Sequence, residues 1–225
     1  MDDLEHPREP APRLVFFDLD GTISRRDTLF GYVLGFARRH PGRLLRYLVV
    51  LPAVVAFFFT RDRGSLKGAL IHTVMGGTWR EDVESWTQTY VPRLIATGLF
   101  DEAIAAIRRH RQTGDHLVLM TATVDLYVPT LAEALGFDEY LCSHVAWNGD
   151  RLDGRLASAN LRDEEKALAL RRTAARFPGR RIIGYGNSAP DLAHLRLVDQ
   201  AVIVNAGASL RRAAAKLPVD FKTWI

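Results

Sequence analysis

Asp18 and Asp20 stand one residue apart, directly behind the apolar run Leu14–Phe17 and in front of Gly21 and Thr22. In an extended chain such residues share a face, so both carboxylates can enter one pocket with Leu19 packed behind them. Alone they repel. A divalent cation or a basic side chain in the same pocket makes the pair favourable, and hard oxygen ligands of this type suit magnesium. A carboxylate beside such a cation can attack phosphorus and form an aspartyl phosphate, which divides a difficult hydrolysis into two easier steps. Later in the chain, Thr121 and Asn187 close two further apolar runs, Asp191 follows four residues after Asn187, and Lys166 opens a helical stretch. Each also has an ordinary reading. Asp-x-Asp occurs as a metal motif of nucleotide-sugar transferases, Thr121 can cap a strand end, Lys166 can be a solvated charge, and Asn187 with Asp191 can form a turn and a helix cap.

The elements that must position these groups are legible in outline. Leu14–Phe17 is a continuous apolar run ending at charge and glycine, the pattern of a strand buried on both faces. Residues 116–120, 181–184 and 201–204 repeat it, preceded by helical stretches at 101–111 and 164–177 and by breaks at Gly114 and Pro178-Gly179. This alternation predicts an α/β fold, a Rossmann-like, doubly wound parallel sheet with ligands at the carboxyl ends of its strands. Between Asp27 and Gly98 the chain leaves that rhythm and reads as helical. The expected organisation is a flexible tail at 1–12, a core at 13–26 and 99–225, and an inserted helical cap at 27–98. Residues 144–147 and 151–156 flank Asn148-Gly149-Asp150, a hairpin signal.

Taken in order, Asp18-Leu19-Asp20-Gly21-Thr22, Thr121, Lys166 and Gly186-Asn187-x-x-x-Asp191 resemble the four motifs of the haloacid dehalogenase superfamily, over residues 14–208. The insertion between the first two motifs resembles the helical cap of its phosphoserine-phosphatase-like branch. The resemblance implies a phosphomonoesterase dependent on Mg2+. Asp18 would be the nucleophile, and Asp20 the general acid and then the general base. Lys166 would neutralise charge on the phosphoryl group and on Asp18, and Thr121, Ala122 and Gly21 would hold phosphoryl oxygens. Magnesium would be held by Asp18, the main-chain carbonyl of Asp20, Asn187 and Asp191. Position 187 is more usually aspartate in the superfamily, and an amide ligates without adding negative charge, so the metal would bind more weakly or lean on Asp191. Asp27, where phosphoserine phosphatases carry a cap glutamate, would touch substrate or cap a helix. Those enzymes also place two glycines where this chain has Ala122-Thr123, which argues against phosphoserine.

The balance of 30 lysines and arginines against 26 acidic residues is a mild bias that does not call for nucleic acid. A single cysteine, Cys142, excludes an internal disulfide framework, and the seven histidines lack zinc-ligand spacing. The acidic, proline-rich start has no export signal, so the expected location is cytoplasmic. The apolar run at 47–59 would rise about 20 Å as a helix, short of a bilayer core of roughly 30 Å, and Pro52 would kink or divide it. Across 38–67, Arg38, Arg39, Arg43, Arg46, Arg61, Arg63 and Lys67 face Asp62 alone. That run either packs as the cap's own core or rests on the anionic inner face of a membrane. Phe30-Gly31, Arg38-Arg39 and the stretch around Leu51-Pro52 resemble phosphatidylglycerophosphatase C, implying a phospholipid head-group phosphate as substrate. The alternatives are a phosphatase of a small soluble amino-acid or sugar phosphate, and a non-catalytic membrane-surface or regulatory module retaining the fold. The sequence does not give the oligomeric state.

Overall fold

The computed structural model describes residues 11–50 and 63–225, without the side chains of 46–50 and 63. Most of the expected tail, and residues 51–59 of the apolar run, lie outside the described residues. Among the described residues no helix is long and apolar enough to cross a membrane.

Strand β1 (Leu14–Phe17) is wholly buried, and its residues alternate between two apolar clusters. Val15 and Phe17 join one; Leu14 and Phe16 join the other. A strand covered on both faces needs apolar side chains at every position, which is why it reads as a run. β1 lies at the centre of a six-stranded parallel sheet ordered β3-β2-β1-β6-β7-β8. The outer members are β2 (His116–Val124), β3 (Glu139–Ser143), β6 (Ile182–Gly186), β7 (Gln200–Val204) and β8 (Val219–Lys222). The chain runs from β1 outward through β2 and β3, then returns beside β1 to start β6. Strand order reverses between β1 and β6, and at such a switch point a crevice opens at the carboxyl ends.

One face is covered by α1 (Thr28–Arg39), α3 (Arg80–Thr97), α4 (Asp101–Gln112) and α5 (Val128–Leu135), which bury Tyr32, Trp86, Tyr90, Ile107 and Leu131. The other carries α6 (Glu164–Ala174), α7 (Leu192–Leu195) and α8 (Ala208–Ala214), with Leu170, Leu195 and Leu210 inward. The described residues between β1 and β2 are helical: besides α1, α3 and α4 they form a 3-10 stretch, Pro41–Val50, and α2 (Arg63–Met75).

Strands β4 (Val145–Asn148) and β5 (Arg151–Leu156) form the expected hairpin, turning at Gly149 with φ +56°. It is pressed onto α2. A Cβ on Gly154 would lie 2.8 Å from the main-chain nitrogen of His72, and one on Gly68 3.4 Å from that of Leu156.

Two features differ from the sequence reading. β2 continues past Thr121 to Val124, because beyond the end of β1 it keeps an irregular pairing with β3 whose register shifts between Met120 and Val124. β3 and β8 were not foreseen: they are the sheet's edges, where Tyr140 is exposed and VDFK alternates half-buried with exposed residues.

Candidate active site

Asp18 follows β1, its main-chain N–H donating to the Tyr185 carbonyl at 3.1 Å, so the carboxylate starts from a base fixed by the sheet. Lys166, on the first turn of α6 and 3% exposed, donates to Asp18 Oδ1 at 2.6 Å and to Asp191 Oδ1 at 2.7 Å. The residue before α6, Asp163, has φ +49° and ψ −119°, outside the regions that side chains ordinarily adopt. One ammonium between two buried carboxylates leaves a negative excess. Burial accordingly raises the Asp18 carboxyl to about 7 against the pull of Lys166. Burial would also raise Asp191, but Lys166 and the Ser188 hydroxyl hold it at about 2. Burial would lower Lys166, and its two carboxylates overcome that and raise it. Among the described residues, buried His194 has no hydrogen-bond partner for either ring nitrogen; burial lowers its pKa to about 3, so it stays neutral.

Asp20 points toward the start of α1. Its Oδ1 accepts from the Thr28 main-chain N–H at 2.8 Å and the Thr28 hydroxyl at 2.7 Å. The Thr28 hydroxyl lies 2.7 Å from that of Tyr127, which lies 2.8 Å from that of Thr123. With the single Thr28 hydroxyl proton given to Asp20, Tyr127 must donate to Thr28 and Thr123 to Tyr127. Burial, then the neighbouring Asp27, raises the Asp20 carboxyl to about 6.

The loop after β6 brings Asn187 alongside. Thr22 Oγ1 lies 3.0 Å from Asp18 Oδ2 and 3.3 Å from Asn187 Oδ1, so these two oxygens converge. A carboxylate, an amide oxygen and the Asp20 carbonyl are donors magnesium accepts, in a pocket short of positive charge, and they fit that ion. Among the described residues no cluster of three or more His, Cys, Asp or Glu is set to hold a metal. Asp191, expected as a ligand, has both oxygens engaged: Oδ1 by Lys166, and Oδ2 by the Ser188 hydroxyl at 2.7 Å and the main-chain N–H groups of Ser188 and Asn187.

A cavity of about 610 Å3 opens over these groups and is walled by Asp18, Asp20, Asp27, Thr121, Ala122, Lys166, Asn187 and Asp191 among others. Gly21, expected at the phosphate, is not in that wall. Its φ is +80° and a Cβ there would come within 2.0 Å of Asn187 Nδ2, so it gives Asn187 room. Asp27 lines the cavity and also caps α1, accepting from the Phe30 N–H at 2.8 Å. The sequence reading assigned no role to Thr28, Tyr127, Ser188, Asn160 or Arg162, and counted Lys67 only as one basic charge among several. The bare types of these residues carry no signal. Only the spacing Ser188-x-x-Asp191, a capping box, was readable.

The sequence pattern of the haloacid dehalogenase-like hydrolases matches residues 15–196. Protein CicA of Caulobacter vibrioides is 30% identical over 191 residues, 84% of each chain. The Mycobacterium tuberculosis protein named "Probable phosphatase Rv3661" is 27% identical over 219 residues, 93% of this chain and 75% of its own. Among solved structures, a Bordetella pertussis Tohama I protein of unknown function aligns with TM-score 0.72 at 20% identity, covering 93% of this chain and 98% of the other. A phosphoserine phosphatase in its phospho-aspartyl intermediate analogue form aligns with TM-score 0.63 at 15% identity, over 94% and 93%. At these identities the structural likenesses establish the fold.

Proposed function

Since the chain belongs to the haloacid dehalogenase-like hydrolases, and is a phosphatase of that type, we propose that it hydrolyses phosphomonoesters through a phosphorylated Asp18. The observation that carries this reading is the buried Asp18–Lys166–Asp191 arrangement at the sheet's switch point, with Asp20 beside it. Asp18 attacks phosphorus as the bond to the leaving oxygen breaks, and Asp20 gives that oxygen its proton. Asp20 then takes a proton from water, which attacks the phosphorus and frees both phosphate and the Asp18 carboxylate. Lys166 offsets charge on Asp18 and on the phosphoryl oxygens, and Asp191 aims Lys166. The Thr121 hydroxyl, 1% exposed and on the cavity wall, donates to a phosphoryl oxygen. Magnesium would be held by Asp18, the Asp20 carbonyl and Asn187, and would supply charge neutralisation at the transferring group. The helices within residues 27–98 act as a cap that excludes water.

The test is magnesium-dependent phosphate release from p-nitrophenyl phosphate: Asp18→Asn should abolish turnover, and equal rates would remove Asp18 from its role.

A phospholipid head-group phosphate is the first substrate class and a small soluble phosphomonoester the second. Apart from Lys67, the wall that α1 and α2 give the cavity is apolar, with Leu29, Leu66, Leu70 and a Phe30 that is 54% exposed, and Leu45 is exposed nearby in sequence to Arg38 and Arg39. Sedimentation with anionic vesicles at low salt tests the membrane arm; no binding removes it.

A further inference from the structure

Among the described residues, three cations line the cavity: Lys67, Arg162 and Lys166. Lys166 lies between Asp18 and Asp191, and Arg162 Nε faces Asp163 Oδ2 at 3.2 Å. Lys67 differs. Its ammonium donates to the Ala122 carbonyl and to Asn160 Oδ1, both neutral, and has no carboxylate at ion-pair distance among the described residues. An ammonium has three donors, and these acceptors take two. Burial lowers its pKa to about 8 despite the attraction of Asp20 and Asp27, the behaviour of a desolvated charge lacking a counter-ion.

Its place in the fold says which part of a substrate it meets. Asp18, Thr121 and Lys166 come from the sheet side, where the phosphoryl group must sit. Lys67 comes from α2, beside Leu66 and one turn before Leu70, and these face the cavity with Leu29 and Phe30 of α1. The carboxylates that act on Lys67 are Asp20, which must meet the leaving oxygen, and Asp27. A cavity of about 610 Å3 holds much more than a phosphoryl group. α2 is clamped by the hairpin at Gly68 and Gly154, and Nζ is held by Ala122 and Asn160, so little ordering remains when an anion binds.

We propose that Lys67 is a specificity residue that binds a second anionic group, a carboxylate or a phosphodiester, carried by the leaving group. This rests on the phosphomonoesterase reading, and unreactive phosphonates separate the two. With magnesium present, calorimetry compares ω-carboxyalkylphosphonates of two to five methylenes with alkylphosphonates of matching length. At the best length the wild-type protein should prefer the carboxylated member by about tenfold, the worth of one charge-assisted hydrogen bond. Lys67→Met should lose the preference and Lys67→Arg should keep most of it. A parallel series ending in a methyl phosphodiester separates sources: preference for it alone marks a lipid-type group, and preference for the carboxylate alone a soluble metabolite. In turnover, Lys67→Met should lower the ratio of kcat/KM for an ester with an anionic leaving group over one with a neutral leaving group by about tenfold. No preference at any length in either series overturns the proposal. So does a preference unchanged in Lys67→Met, or an equal loss for charged and neutral members, which would make Lys67 a phosphoryl contact or a structural residue. Wild-type protein that shows the binding preference but hydrolyses no ester would remove the hydrolase reading and leave the subsite standing.

Discussion

At position 20 the chemistry turns on one proton. Burial and Asp27 bring the Asp20 carboxyl to about 6, and the Thr28–Tyr127–Thr123 chain of hydroxyls fixes its direction. A group poised there can give a proton and take one back near neutrality. Asp20→Asn should lower kcat for both esters, because water attack needs the base, but its loss in kcat/KM, which reports the phosphorylation step, should be about 10²–10⁴ for an alkyl phosphate and much smaller for p-nitrophenyl phosphate, whose leaving group departs without a proton. Equal losses in kcat/KM on both would contradict the role. The pH dependence has a definite sign. The acid step needs the protonated carboxyl, so kcat/KM for the alkyl ester should fall as pH rises through about 6, while the nitrophenyl ester lacks that limb. Asp18, Asp20 and Asp191 were legible as carboxylates just beyond apolar runs, and Lys166 only through the resemblance to the superfamily's motifs. Lys67 was not: one lysine in a basic stretch looks solvated until the fold half-buries it against Ala122 and Asn160.

At the scale of elements, the site is made by loops that leave adjacent strands together. Gly21 is the tightest point, because its φ of +80° and the 2.0 Å approach of a Cβ to Asn187 Nδ2 both demand glycine. Gly21→Ala should displace Asn187, raise the magnesium concentration needed for half-maximal activity by several-fold, and cost about 1 kcal/mol or more of stability. Unchanged magnesium dependence would show that Asn187 does not serve as a ligand. The inner strands were readable as apolar runs because both their faces are covered. The edges β3 and β8 were hidden, since an edge strand with exposed Tyr140 or an alternating VDFK resembles a loop in composition. Thr121 was placed at a strand end because the apolar run stops at Met120; the pairing with β3 that extends β2 to Val124 is a long-range fact.

Across the whole molecule, a second charged network sits at the other end of the sheet. Opposite the cavity, Asp115 precedes β2 and Arg13 precedes β1, and Asp115 accepts from the Arg13 main chain at 2.8 Å and its guanidinium at 2.7 Å, and lies 2.7 Å from His110 Nδ1. His110 in turn lies 2.9 Å from the Tyr185 hydroxyl. Burial would raise Asp115, but Arg13, His110 and Thr113 hold it at about 2, below the ordinary 3.8. A carboxyl depressed by folding stabilises above its unfolded pKa and loses that contribution as pH falls. Asp115→Asn should therefore cost about 2 kcal/mol at neutral pH, a difference that shrinks between pH 3.8 and about 2; denaturant titrations at pH 7 and pH 2.5 check this, and an equal difference at both would contradict it. Turnover per folded molecule should not change, since this network lies at the amino ends of the strands.

The account depends most on the covalent step. Wild-type protein mixed with a phosphomonoester and magnesium, quenched in acid within milliseconds and digested, should yield by mass spectrometry a peptide spanning Asp18 that carries one added phosphoryl group, absent from Asp18→Asn and accumulating in Asp20→Asn with a p-nitrophenyl ester. Turnover in wild-type protein with no phosphoryl group ever found on Asp18, or with the group on another residue, would contradict it.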